Sequence, residues 1–251
     1  MFITQKRKLK WIVIMAAAAA VFAVSAVLLI LHFIPQKNNT PSPKPVSSAD
    51  SAEDLPDNPV NFAEMQAKNP DICGWISIPN MDIEYPVLQS SGDAEDFYLT
   101  HNEEKVRKSA GAIYIQKINN KDFTDPNTVI YGHNMINGSM FGKLKKFRNK
   151  QFFNEHDTIY IYTPGHVLTY KIYSAFLYDD RHILNSFNFS DENEFASFIN
   201  QTLEPSSMVK NVRDGVAVNT DSRIITLSTC TSVDTERYLV EGVLINDQRT
   251  K

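Results

Sequence analysis

Across residues 74–245 the chain is a succession of short β-branched and aromatic runs separated by turn residues. That rhythm restricts the fold more than any other feature of the sequence, because runs of about 4–8 such residues read as strands rather than helices. The pattern predicts strands near residues 74–78, 83–88, 111–115, 128–131, 158–162, 167–178, 216–219, 223–229 and 237–245. Helices are expected at 61–69, where Pro70 stops the helix, and at 94–99, 140–148 and 191–203, the last with Ser190 as N-cap. Many short strands with few helices between them, and no internal repeat, predict a mainly β fold: a closed barrel of about eight strands with a few peripheral helices.

The N-terminal part obeys different rules. Residues 11–34 form an apolar run of 24 residues broken only by Ser25 and His32, long enough to span a hydrocarbon core of about 30 Å as a helix. Lys6, Arg7, Lys8 and Lys10 precede it, and no acidic residue occurs before Asp50. Residues 1–10 are therefore expected to be a cytoplasmic basic tail and the C-terminal bulk extracellular, in a single-pass cell-membrane protein. Ala23-Val24-Ser25 has the form of a signal-peptide cleavage site, but the apolar run continues past it through Leu31, which favours an uncleaved anchor. Residues 35–59 hold six of the twelve prolines and almost no large apolar side chains, so they read as an extended extracellular tether. The folded domain is expected over residues 60–251. Without the four N-terminal cations, 21 Lys+Arg face 29 Asp+Glu. No basic field remains to suggest nucleic acid binding.

Two cysteines stand in very different settings. Cys230 closes the strand-like run Thr226-Leu227-Ser228-Thr229-Cys230, with Arg237 seven residues on and His133 in Tyr131-Gly132-His133-Asn134. If runs 223–229 and 237–245 pair as a hairpin, Arg237 returns to the neighbourhood of Cys230; His133 must be brought there by the fold. A thiol with an imidazole to move protons and a guanidinium to meet a developing oxyanion is the raw material of acyl transfer. Each residue also has a plainer reading: an inert buried thiol, a loop-capping His, an Arg in a surface ion pair with Asp234 or Glu236. Cys73 reads as a small buried hydrophobe, and pairing it with Cys230 would consume the candidate nucleophile. No motif calls for a metal or cofactor. His101, His156, His166 and His182 read as structural or exposed, and the basic residues of 143–150 as a solvated face. Asp234 is the nearest carboxylate that could orient the pair, although a solvated loop residue is the better description.

The blocks around these residues carry more. From Asn69 to Ile245 the chain resembles the sortases, specifically class B. Thr226 to Cys230 matches the Thr-Leu-x-Thr-Cys signature, and Trp75-Ile76-Ser77-Ile78-Pro79, Tyr85-Pro86-Val87, Phe97-Tyr98-Leu99-Thr100-His101-Asn102, Tyr131-Gly132-His133-Asn134-Met135 and Gly138-Ser139-Met140-Phe141-Gly142 follow the group's order. The resemblance implies a membrane-anchored cysteine transpeptidase. Such an enzyme cleaves an Asn-Pro-x-Thr-x sorting signal of a secreted surface protein after Thr, through a thioester on Cys230. It then transfers the protein to an amine of the lipid-linked peptidoglycan precursor, an oligoglycine or a diaminopimelate. It further implies proton transfer by His133, oxyanion or substrate contact by Arg237, and a signal groove lined by Ser228, Thr229, Tyr131 and Leu99. The alternatives are a pilin-polymerising sortase and a non-catalytic extracellular peptide-binding barrel.

Overall fold

The computed structural model describes residues 55–251. The expected basic tail, membrane span and most of the tether lie outside them. The strands are β1 Ile72–Ile78, β2 Ile83–Leu88, β3 Ile113–Ile115, β4 Asn127–Tyr131, β5 Thr158–Thr163, β6 His166–Asp179, β7 Lys210–Val212, β8 Ile224–Cys230 and β9 Glu236–Arg249. They pair in the order β5-β1-β2-β3-β4-β8-β9-β6-β7, and β5 also pairs with β6. That last pairing closes eight strands into a barrel and leaves β7 outside it, on β6. Closure satisfies the edges that an open sheet would expose. Two contacts in the wall are parallel, β2 with β3 and β4 with β8. The second of these matters most for function.

Alternation along β8 sorts its side chains between two cores. Ile225 and Leu227 fill the barrel with Ile76, Ile130, Phe141 and Val240. Ile224, Thr226, Ser228 and Cys230 take the outer face. Among the described residues four α-helices occur, α1 Phe62–Lys68, α2 Lys150–Glu155, α3 Ile183–Ser186 and α4 Glu192–Leu203. The last lays Phe195, Phe198 and Ile199 over Tyr173, Ile224 and Leu239 on the barrel's outside, each buried side chain contributing about 1.5–3 kcal/mol.

Several expectations are corrected. Residues 216–219 form no strand. Val216 and Val218 pack against the outer apolar cluster, so their alternation records burial, and the strand in this region is β7, set by pairing with Ser174–Phe176. The helix expected at 140–148 is a 3-10 turn, Leu144–Arg148, followed by α2, whose N-cap Asn149 accepts from the Phe152 amide. That at 94–99 shrinks to a 3-10 turn, Phe97–Leu99. The N-cap of α4 is Asp191 rather than Ser190, because its carboxylate reaches both the Asn193 and Glu194 amides at 2.9 and 3.1 Å. Ordered contacts also begin before Val60: Asn58 Nδ2 donates to Thr163 O and Thr250 Oγ1, and Pro56 O accepts from the Lys251 amide.

Candidate active site

The parallel pairing of β4 with β8 sets Tyr131 opposite Ser228. Cys230 closes β8 two residues on, His133 follows two residues past the end of β4, and both border one cleft. The alignment is stitched past the end of the ladder. The Gly132 amide donates to Ser228 O at 3.2 Å, Thr229 Oγ1 donates to Gly132 O at 2.7 Å, and the Phe141 amide donates to His133 O at 3.0 Å. Gly132 allows this close approach, since a Cβ there would collide with Ile113 Cδ1 and lie 2.8 Å from Phe141 Cδ2. The Tyr-Gly-His order is thus a packing requirement that delivers the imidazole.

The hairpin read from the spacing is present. In the antiparallel β8–β9 pair Cys230 stands directly opposite Arg237, so both side chains leave the same face. Arg237 Nη1 donates to Asp234 O and Glu236 O at 2.9 and 3.0 Å. Its Nε and Nη2 make no hydrogen bond within the described residues, which leaves part of the guanidinium fork for the cleft. Asp234 serves through its carbonyl, and its carboxylate is exposed. Arg223, at the far end of β8, is bound to Asp247. Cys230 is an exposed free thiol. Cys73 is buried, its Sγ 3.4 Å from Val87 O, and burial pushes that thiol up to about 12.

These side chains border a cleft of about 210 Å³ lined by Leu99, Tyr114, Gln116, Tyr131, His182 and Ser228 among others. Leu99 contributes more than an apolar wall. His133 Nε2 donates to its carbonyl at 2.7 Å. Thr229 borders the cleft, but its hydroxyl is committed to Gly132, which makes it a stitch in the wall. Burial raises the hydroxyls of Tyr114 and Tyr131 above the ordinary tyrosine range and keeps them protonated.

Three residues that line the cleft each bury one polar atom without a protein partner: Gln116 Oε1, Tyr131 Oη and His182 Nδ1. Neither Gln116 nor His182 stands out in the sequence. His182, expected to be structural or exposed, instead borders the cleft with its ring centroid 6.2 Å from that of Tyr131. The other three fit the expectation: His101 stacks on Phe97, His156 stacks on Phe152 and His166 pairs with Asp247.

A thiol, an imidazole and a guanidinium converging on a partly apolar groove can perform nucleophilic acyl transfer. Comparison with known proteins agrees with that chemistry. A sequence model of the sortase domain matches residues 76–245. Sortase B of Listeria monocytogenes is 35% identical over 185 residues, covering 72% of this chain and 70% of that protein. Sortase B of Staphylococcus aureus is 27% identical over 187 residues, covering 73% and 74%. The crystal structure of Clostridium perfringens sortase B superposes with a TM-score of 0.67 at 32% identity, covering 74% of this chain and 100% of that one. The chain belongs to the sortase family, within class B, and is a cysteine transpeptidase.

Proposed function

We propose that Cys230 is the nucleophile, His133 the proton carrier and Arg237 the oxyanion donor of an enzyme that cleaves an Asn-Pro-x-Thr-x signal after Thr. The observation that carries this reading is the convergence of Cys230, His133 and Arg237 on one cleft, with Arg237 paired to Cys230 and His133 just past the strand that pairs with β8. The sulfur of Cys230 attacks the carbonyl carbon of the signal's Thr, and the tetrahedral oxyanion is met by the free N–H groups of Arg237. The C–N bond breaks as the imidazolium of His133 gives its proton to the leaving amine, and a thioester remains on Cys230. An incoming amine attacks the thioester, His133 accepts its proton, and the new amide forms as the thiolate departs. Arg237 remains protonated throughout and serves only as donor.

A cell-wall peptidoglycan amine as acceptor, and anchoring by residues 11–34 with the domain outside, rest on family resemblance and on the basic flank of the apolar run. Intact-mass analysis after incubation with Asn-Pro-x-Thr-x and Leu-Pro-x-Thr-x peptides tests the reading. A thioester adduct on Cys230 with Asn-Pro peptides is expected; no adduct with either panel would refute it.

Arg237→Ala is expected to lower kcat by about 10²–10³-fold with KM within a few-fold, because the lost donors act on charge that develops only after attack. Arg237→Lys should recover only part of the rate, since an ammonium does not reproduce the planar fork. Steady-state kinetics of the three proteins on one peptide decides it. A rise in KM alone would make Arg237 a ground-state contact.

A further inference from the structure

A neutral imidazole carries one N–H, and a carbonyl oxygen can only accept. The 2.7 Å contact with Leu99 O therefore places the hydrogen of His133 on Nε2 and leaves Nδ1 as the basic nitrogen. Whatever fixes that carbonyl fixes which nitrogen is free for chemistry. The carbonyl belongs to the three-residue 3-10 turn Phe97–Leu99, which is too short to hold itself in place.

Its anchor is the middle residue. Tyr98 is fully buried, at 0% exposure, and its hydroxyl sits in a closed polar knot. Tyr98 Oη donates to Asp71 Oδ2 at 2.8 Å and accepts from Asn69 Nδ2 at 3.0 Å. Asn69 Nδ2 also donates to Glu103 O at 2.8 Å, and Asn69 Oδ1 takes the Asp71 amide at 3.0 Å. Lys105 Nζ reaches Asp71 Oδ2 at 2.9 Å. Burial acts to raise the Asp71 carboxyl, but hydrogen bonds from Lys105, Tyr98 and Ser91 outweigh it and hold the group below its ordinary value. The knot is thus an ionised carboxylate with committed donors, ahead of β1 and clear of the cleft.

Gly111 guards the same carbonyl from the other side. Its φ is +56°, and a Cβ there would lie 2.5 Å from Tyr98 O and 2.6 Å from Leu99 O. The adjacent Ala112 amide donates to Tyr98 O at 2.8 Å. The backbone of Gly111–Ala112 and a buried phenol therefore hold the turn that carries Leu99 O.

We propose that Tyr98, clamped by Asp71 and Asn69, is a positioning residue for His133, with Gly111 as the second half of the device. The turn it anchors holds the imidazole in the Nε2–H tautomer that turnover requires. The inference rests on His133 being the proton carrier, and its principal readout does not depend on the sorting signal. Histidine labelled with 15N in the full-length protein at pH 8.5 gives the tautomer directly, with the His133 signals assigned by their loss in His133→Gln. Wild type is expected to show a protonated Nε2 and an unprotonated Nδ1.

Tyr98→Phe should show averaged nitrogen shifts, a kcat lower by about 10–100-fold and a KM within about twofold. Gly111→Ala, which displaces the carbonyl by contact, should change the same quantities in the same direction. An Nδ1–H tautomer in the wild type overturns the proposal. So does a folded Tyr98→Phe protein with unchanged His133 signals and kcat; if that variant does not fold, Gly111→Ala is judged on the same two criteria. If the wild type turns over no peptide while the tautomer behaves as expected, the sorting-signal reading fails and the positioning role stands.

Discussion

Cys230→Ala is expected to abolish the thioester and to lower kcat/KM by about 10⁴-fold or more, with the fold unchanged. The fold should survive because Cys230 is exposed and terminal in β8. Its position is set by backbone pairing with Arg237, so the thiol contributes little packing. The loss of rate follows because, among the described residues, the other hydroxyls bordering the cleft do not replace the thiol: Ser228 is a buried hydroxyl two residues back along the strand, and Thr229 is committed to Gly132 O. Cys73→Ala is the natural control. That thiol is buried and pushed up to about 12, so it supplies no thiolate near neutrality. Its removal should cost about 1–2 kcal/mol of stability and leave turnover intact. Intact-mass analysis and steady-state kinetics of both variants, beside their thermal midpoints, check the pair. Full activity in Cys230→Ala, or an adduct that moves to Cys73, contradicts the assignment.

Which parts of this were legible in the sequence follows from whether they are local. The Cys230–Arg237 pairing was legible because a hairpin is local: seven residues of separation admit a short loop, and alternation fixes the face. The His133–Cys230 register was not, because parallel pairing of β4 with β8 joins segments about a hundred residues apart and leaves no periodic trace in either. Only the family resemblance brought His133 to the site. His182, read as structural or exposed, and Gln116, not singled out, were not placed at the cleft because lining it is a property of the packed fold. The apolar alternation of residues 216–219 misled in the opposite sense. Val216 and Val218 bury side chains without a ladder, while Lys210–Val212, poor in apolar residues, gains its strand geometry from β6.

The same outer face that presents Cys230 carries a carboxyl that should be neutral, and stability should reveal it. Glu241 is fully buried on β9, opposite Thr226 on β8 and Ser174 on β6. Burial raises its pKa to about 8, against a weaker lowering by the Thr226 hydroxyl. The hydrogen bonds agree. Thr226 Oγ1 lies 2.8 Å from Glu241 Oε2 and 3.1 Å from Asn127 Oδ1, yet a hydroxyl has one hydrogen to give. Both contacts are satisfied if Glu241 is protonated and donates to Thr226, which donates to Asn127. Because the folded-state pKa is raised, the folded chain holds a proton that the unfolded chain loses. The contribution is fully present below the unfolded value near 4.5 and is lost as pH rises to about 8. Wild-type stability should therefore fall across that window at up to about 1.4 kcal/mol per pH unit from this group. In Glu241→Gln the amide can donate to Thr226 in the same way and does not titrate. The variant should match the wild type near pH 4.5 and exceed it by roughly 4 kcal/mol at pH 8, with kcat retained because Glu241 does not border the cleft. Urea unfolding of both proteins at pH 4.5, 6 and 8 measures the difference. Parallel stability profiles would mean that the carboxyl is ionised in the folded protein, and that the relay through Thr226 runs the other way.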